Sequence, residues 1–369
     1  MVRVRAILGG VAGCLVSLLW GGPVWGQTSF PMITHTHPTA VARGSTQEVT
    51  VFANGGSFAE ALAVYIEGEG VTAEIVPPKE APKAAPTAPV PTVRQLTLRI
   101  KAAADAPLGV REFRIRTAHG ISSLGQLLIV DDPVVLENGS NTTPDKAQNV
   151  TVPCVLCGRI DRAEGVDYYT FSAKAGQTLT IEVHCARLQD KIHDLQKHAD
   201  PLVSLSDASG RELASSDDDR FADPLLVFTP PADGVYRLAI RDAKYDGDSR
   251  WSYAVTITDR PYVRQIFPIG VPPSASVVFE PVLSTPQRPQ WTAVTPATPG
   301  LHSISLRPPG SSRVTNPVPL VVSSVPIQRE QEPNDSPAQA NPLPVPGGVN
   351  GRIGQRRDLD HFRLSLKKG

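Results

Sequence analysis

A hydrophobic alternation with a period of two constrains this chain more than any other feature. Between Thr178 and Cys185, Leu179, Ile181, Val183 and Cys185 fall on one side of an extended backbone, and Thr180, Glu182 and His184 on the other. Successive strand side chains point to opposite faces, so the pattern predicts an antiparallel strand buried on one face. Similar runs occupy 48–52, 62–66, 71–76, 93–100, 112–116, 126–130, 168–171, 235–241, 253–258 and 301–306. Most are bounded by Gly, Pro, Asn or Asp, and the chain carries 29 glycines and 36 prolines. Many short punctuated strands predict an all-β chain of tandem antiparallel β-sandwiches. One stretch departs from this pattern: Leu188, Ile192, Leu195 and Ala199 recur at helical spacing within 186–199, which predicts a single amphipathic helix.

The chain also repeats itself. Laid without gaps on 351–369, residues 158–176 are identical at seven of nineteen positions: Gly158/Gly351, Arg159/Arg352, Ile160/Ile353, Asp167/Asp360, Ser172/Ser365, Lys174/Lys367 and Gly176/Gly369. So long an offset signals duplicated domains with another module between them. That intervening piece has an echo as well. Pro107-Leu108-Gly109 with the strand runs after it parallels Pro299-Gly300 with 303–307 and 320–322, each reading as the last two strands of a small immunoglobulin-like sandwich. The expected order is an immunoglobulin-like sandwich at 28–131, a repeat domain at 135–260, a second immunoglobulin-like sandwich at 263–325, and the start of a second repeat domain at 330–369. This last piece is too short to bury a sandwich core, so the polypeptide reads as a fragment of something longer. Residues 77–91 hold six prolines and no apolar periodicity, which predicts a solvated loop decorating the first sandwich.

Arg3 and Arg5 precede an apolar run from Ala6 to Trp20, followed by small residues up to Gly26. This is the pattern of a cleavable secretory signal over 1–26, and it predicts a secreted protein: periplasmic, cell-surface or extracellular. After cleavage no stretch approaches the roughly 20 apolar residues of a membrane span. With 36 basic against 36 acidic side chains there is no long-range positive field, which argues against a nucleic-acid partner. Three cysteines remain beyond the signal, Cys154, Cys157 and Cys185. In an oxidising compartment the arithmetic predicts one disulfide and one free thiol, with Cys185 pairing to Cys154 or Cys157.

These residues resemble the bacterial pre-peptidase C-terminal (PPC) domain, a β-sandwich found in secreted bacterial proteins. In the second copy Glu332-Pro333-Asn334-Asp335-Ser336 is similar to the family's opening motif, with Gly351-Arg352-Ile353 and Asp358-Leu359-Asp360-His361-Phe362 following. The first copy has Gly158-Arg159-Ile160, Val166-Asp167-Tyr168-Tyr169, Ala175-Gly176, Asp200-Pro201, Asp217-Asp218-Asp219 and Gly234-Val235-Tyr236-Arg237-Leu238, behind a degenerate opening at Glu137-Asn138-Gly139-Ser140. The resemblance implies a non-catalytic accessory domain that binds substrate or matrix, or acts as a spacer, sometimes with calcium.

No GxSxG, HExxH or phosphate-loop motif occurs, so the short signatures of common enzyme classes are missing and no catalytic residue is expected. The ion candidate is the acidic loop, where Asp217, Asp218, Asp219 and Asp223 crowd together with Arg220 as the one cation. A divalent cation would relieve their repulsion, and calcium takes oxygen donors from such loops. The resemblance suggests Glu137 and Asp167 as helpers. The resulting expectation is a secreted, non-catalytic multidomain sandwich that binds matrix, polysaccharide or protein. The alternative is the accessory region of a secreted protease or other hydrolase.

Overall fold

The computed structural model describes residues 30–77, 92–189, 192 and 197–367. The signal at 1–26, the Pro-rich segment from 78 to 91, and Leu195 lie outside the described residues. No helix among the described residues is long and apolar enough to cross a membrane. The described residues are all-β, 48% in strands and 3% in helix.

Each strand run pairs where its alternation leads. In the first sandwich one sheet runs in the order Met32–His37, Thr46–Asn54, Gln95–Ala102, Val71–Ile75, and the other Ala40–Ala42, Gly125–Val130, Gly109–Thr117, Ala61–Ile66. Val49, Val51, Leu98, Ile100, Phe113 and Ile115 fill the space between them. The second sandwich has two five-stranded sheets. One contains Cys154–Arg159, Ser252–Thr258 and Leu179–His184 as neighbours; the other contains Val166–Ala173, Gly234–Asp242 and Pro201–Ser206. Its core includes Tyr169, Phe171, Ile181, Val183, Leu238 and Trp251. A third, smaller sandwich, of two three-stranded sheets, closes on Phe279, Trp291 and Leu320.

Where a helix was expected over 186–199, the described residues hold a 3-10 turn, Ala186–Leu188, after Cys185, and 190–191 and 193–196 lie outside the described residues. Gln189 is buried and ties the segment down instead, donating from Nε2 to Cys185 Sγ at 3.5 Å and accepting the Ala199 amide on Oε1 at 2.8 Å. Tertiary hydrogen bonds outweigh a marginal local propensity here. The expected disulfide is also absent, since all three cysteines are free and buried. The strand Ser252–Thr258 lies between those that carry or lead into the cysteines, so they sit two strand spacings apart, about 9.5 Å, beyond the roughly 4.4–6.8 Å that a bridge spans. Cys157 also faces away from the core that holds Cys154 and Cys185.

The repeat extends further than its identities suggest. Val134–Leu136 pairs in parallel with Cys154–Arg159, and 193 residues later Ile327–Arg329 pairs in parallel with Gly348–Asn350. Gln148 opposes Tyr169 as Asn341 opposes Phe362, and the 3-10 turns Pro144–Lys146 and Pro337–Gln339 obey the same offset. This register corrects the alignment of the opening motif: Glu137 corresponds to Glu330, not Glu332. The second copy leaves its apolar face open. Ile353, Leu364 and Leu366 are 71%, 52% and 73% exposed, where Ile160, Phe171 and Ala173 are buried.

The joints between sandwiches repeat too. The Cys157 sulfur takes the backbone N–H groups of Thr39 and Ala40, and the Asn350 Oδ1 takes those of Ile269 and Gly270 at 3.0 and 2.8 Å. The outer face of Cys154–Arg159 is therefore buried: Val155 and Cys157 pack with Ala40, Leu128 and Ala254 in a core shared by the first two sandwiches. Thr180 and Glu182, expected on a solvent face, are buried for a related reason. Asp132, its side chain 3% exposed, pairs with Arg260 and Arg313, while Asp131 pairs with Arg43 and, at 3.0 Å, with Arg260. Arg313 and Val314 come from the third sandwich, and Val314 enters the core of the first.

Removing the carboxylate at this junction would take from Arg260 and Arg313 their most buried partner, leaving Arg260 paired with Asp131 and Arg313 with Asp259. Asp132→Ala is expected to cost about 3–5 kcal/mol in denaturant unfolding, whereas Glu48→Ala, which breaks an exposed pair with Arg99, should cost at most about 1 kcal/mol.

Candidate functional site

The sequence-predicted ion ligands occupy three separate places. Asp217 and Asp218 are exposed on the loop after Glu212–Ser216, and Asp217 Oδ1 accepts the Asp218 amide at 2.9 Å. Asp219 is bound by Arg264, with Nη1 and Nη2 donating at 2.8 and 3.0 Å. Asp223 is fully buried and accepts the amides of Cys185, Ala186 and Arg187 at 3.0, 2.7 and 3.2 Å, together with Arg187 Nε at 2.7 Å. Four donors saturate this carboxylate, so its work is structural: it closes the turn where a helix was expected. The loop does not assemble as a ligand set.

Glu137 and Asp167 do meet, away from that loop. Tyr253 donates its hydroxyl to Asp167 Oδ2 at 2.8 Å, and the Tyr169 hydroxyl lies 2.8 Å from the Tyr253 hydroxyl. Burial, with Glu137 beside it, pushes Asp167 up to about 7, and burial raises Glu137 as well. Both shifts arise from burial and from the repulsion of neighbouring carboxylates, and the Tyr253 hydroxyl is the donor that stabilises the Asp167 carboxylate.

The register of the repeat places a richer version of this site in the second copy. Glu330, Glu332 and Asp360 bring carboxylate oxygens within 4.8 Å of one another, and Glu332, Asp335 and Asp358 do the same. Glu330 Oε2, Asp360 Oδ1 and the Asn334 Oδ1 are buried and lack a hydrogen-bond partner. Backbone amides hold the cradle in shape: Asn334 N donates to Glu332 Oε2 at 2.9 Å, Leu359 N to Asp335 Oδ1 at 3.2 Å, and Arg352 N to Glu330 Oε1. Five carboxylates and one amide oxygen match the hard-oxygen donor set calcium prefers. In the first copy the counterparts of Glu332, Asp335 and Asp358 are Gly139, Thr142 and Gly165, so three of the five carboxylates are gone. Sequence reading missed Glu330 because the opening motif was set two residues out of register. The signal was present: Glu137/Glu330 and Asn141/Asn334 continue the ungapped offset of the repeat.

The second sandwich defines the class: a β-sandwich domain set among other sandwiches. Residues 165–242 match the family described as the bacterial pre-peptidase C-terminal domain, and this segment is a PPC domain. A probable subtilase-type serine protease of Deinococcus radiodurans is 35% identical over 75 residues, a match that covers 20% of this chain and 10% of that protease. Among solved structures, the pre-peptidase C-terminal domain of a Bacillus anthracis collagenase aligns at 16% identity and a TM-score of 0.25, over 32% of this chain and 100% of that one. Aeromonas hydrophila PliG, a periplasmic inhibitor of g-type lysozyme, aligns at 18% identity and a TM-score of 0.21, over 30% of this chain and 97% of that one.

The contrast between Asp223 and its loop neighbours is testable. Asp223→Ala should destabilise the second sandwich by about 3 kcal/mol or more, because four donors lose their acceptor, while Asp218→Asn should stay within about 0.5 kcal/mol. Denaturant midpoints of the two variants give the comparison.

Proposed function

We propose that this chain is exported and works without chemistry of its own, as a binding or spacing module at the cell surface or in the surrounding medium. The PPC domain at 165–242, embedded in a row of small sandwiches, supports this reading most. Sandwiches of this size fill their own interiors with side chains and hold partners on loops and joints instead of deep catalytic clefts. The purified chain should be retained on extracellular polysaccharide or matrix protein and release no cleavage products from either. Turnover of a polysaccharide or protein by the purified chain overturns the proposal. A second reading makes the chain the accessory region of a secreted protease, and the likeness of 75 residues to a subtilase-type protease favours it. In that case, fusion to such a protease domain should change capture of insoluble substrate and leave cleavage of a short soluble peptide unaltered.

Calcium belongs, on this proposal, to the second copy and not to the acidic loop. Glu330, Glu332, Asn334, Asp335, Asp358 and Asp360 supply the oxygens, and the buried unpaired atoms of Glu330, Asn334 and Asp360 are what a cation would satisfy. Binding to the folded state raises stability by mass action, about 2.7 kcal/mol at a free concentration one hundred times the dissociation constant. Millimolar calcium should therefore protect residues 330–367 from protease, and chelator should reverse the protection. Asp360→Asn with Asp358→Asn should abolish it, and Asp217→Asn with Asp218→Asn should not; the opposite pattern returns the site to the loop.

A further inference from the structure

We propose that the cleft where the first three sandwiches meet binds an oligosaccharide. This inference deepens the binding reading above and rests on it. The cleft has a volume of about 1,050 Å³ and adjoins a chamber of about 70 Å³, with Leu108, Glu182, His184, Tyr262, Asn316 and Pro317 lining both. These residues come from three sandwiches, so no single module makes the cavity. Ligand sites favour such junctions.

Its polar groups are set for hydroxyls. His184 Nδ1 is buried with no hydrogen-bond partner, and Nε2 sits 3.7 Å from Glu182 Oε1. Burial holds His184 below its ordinary value, so the ring is neutral and one nitrogen is a bare acceptor. Of the Asp, Glu and Arg side chains lining the cleft, Glu182, Arg187 and Asp219 are ion-paired, and Glu69, Arg111 and Arg220 have no ion pair among the described residues. Arg187 pairs with Glu182 and Asp223, and Asp219 with Arg264. Arg220 lies 5.1 Å from the Tyr262 ring centre, with its Nε donating to the Tyr262 hydroxyl at 2.9 Å. Such a field suits neutral or singly acidic sugars, and is too weak for a polyanion.

An apolar platform stands at the rim. Phe221 is 81% exposed and held at φ +61°, in the left-handed region that bulky side chains avoid. A tight turn fixes it there, with Arg220 and Asp223 exchanging backbone hydrogen bonds of 2.9 and 3.1 Å. An exposed ring held in a strained conformation is consistent with a functional surface. Its negative π-face complements the polarised C–H face of a pyranose. The walls disfavour an extended peptide, because Pro107, Pro296, Pro317 and Pro319 present no N–H for strand addition.

The test uses the full chain on a glycan array carrying neutral glucans and uronate-containing glycans, with Phe221→Ala and Ser303→Trp as variants. Both substitutions are at exposed positions of the cleft, so the unfolding midpoint should not move. The expected result is saccharide binding that each variant weakens about tenfold or more, as loss or blockage of an aromatic anchor does. Preference for one glycan set identifies the sugar class, and either preference supports the proposal. Saccharide binding unaffected by both variants overturns the cleft assignment and leaves the binding reading standing. Retention on matrix protein with no saccharide bound overturns the oligosaccharide and keeps the module a binder, whereas failure on both surfaces removes the binding reading itself.

Discussion

Everything in the relative placement of the first three sandwiches depends on a buried carboxylate. Asp132 lies in the link between the first and second sandwiches and is gripped by Arg260 from the far end of the second and Arg313 from the third. Burying one charge without partners is prohibitive, so this aspartate tolerates only arrangements in which both arginines arrive. Its contribution is therefore to orientation more than to net stability. The apolar contacts around it, Val314 in the first core and Val155 with Leu128 at the joint, tolerate sliding far better than the ion pairs do. The cleft over Glu182 and His184 exists because those pairs hold two sandwiches above one sheet face.

That geometry also explains what could be read from sequence and what could not. Period-two alternation is a local property, and it located the strands because the long strands of the three closed sandwiches have at least one face in a core. It could not say what covers the other face. Thr180, Glu182 and Cys157 look like solvent-side residues in a single strand and are buried because a neighbouring module lies over them. The segment 186–199 carries helical spacing, yet Asp223 takes its first amides and Gln189 takes the amide of Ala199. Both partners are distant or irregularly spaced in sequence, so no periodicity announces them. The acidic loop misled for the opposite reason. Charge density is visible in a string of letters, whereas the donors that neutralise Asp219 and Asp223, Arg264 and Arg187, become neighbours only in the folded chain.

The two copies of the repeat show how one backbone can carry two chemistries. Glu137 and Asp167 keep the positions of Glu330 and Asp360, and the amide of Arg159 reaches Glu137 as that of Arg352 reaches Glu330. Around them, substitution by Gly139, Thr142 and Gly165 removes negative charge, and Tyr253 supplies a hydroxyl donor to the remaining aspartate. The first copy meets its carboxyls with the Tyr253 hydroxyl and the Arg159 amide inside a finished core. The second retains orphaned oxygens in an open cradle. Glycine is tolerated at 158 and 351 for the same reason in both: a Cβ there would meet the glutamate oxygen at 2.5 Å.

The repeated joint carries a consequence for mechanics. Cys157 and Asn350 differ in chemistry, yet each receives two consecutive amides from the start of the short second strand of the preceding sandwich. The hydrogen-bonded joint between the first and second sandwiches is thus repeated between the third and the open second copy, while the contact joining second to third is ion-paired. Length along this chain is counted in pairs of sandwiches, and pulling on its ends would load two alternating kinds of hinge: a hydrogen-bonded one that yields by peeling a short strand, and an electrostatic one whose resistance depends on salt.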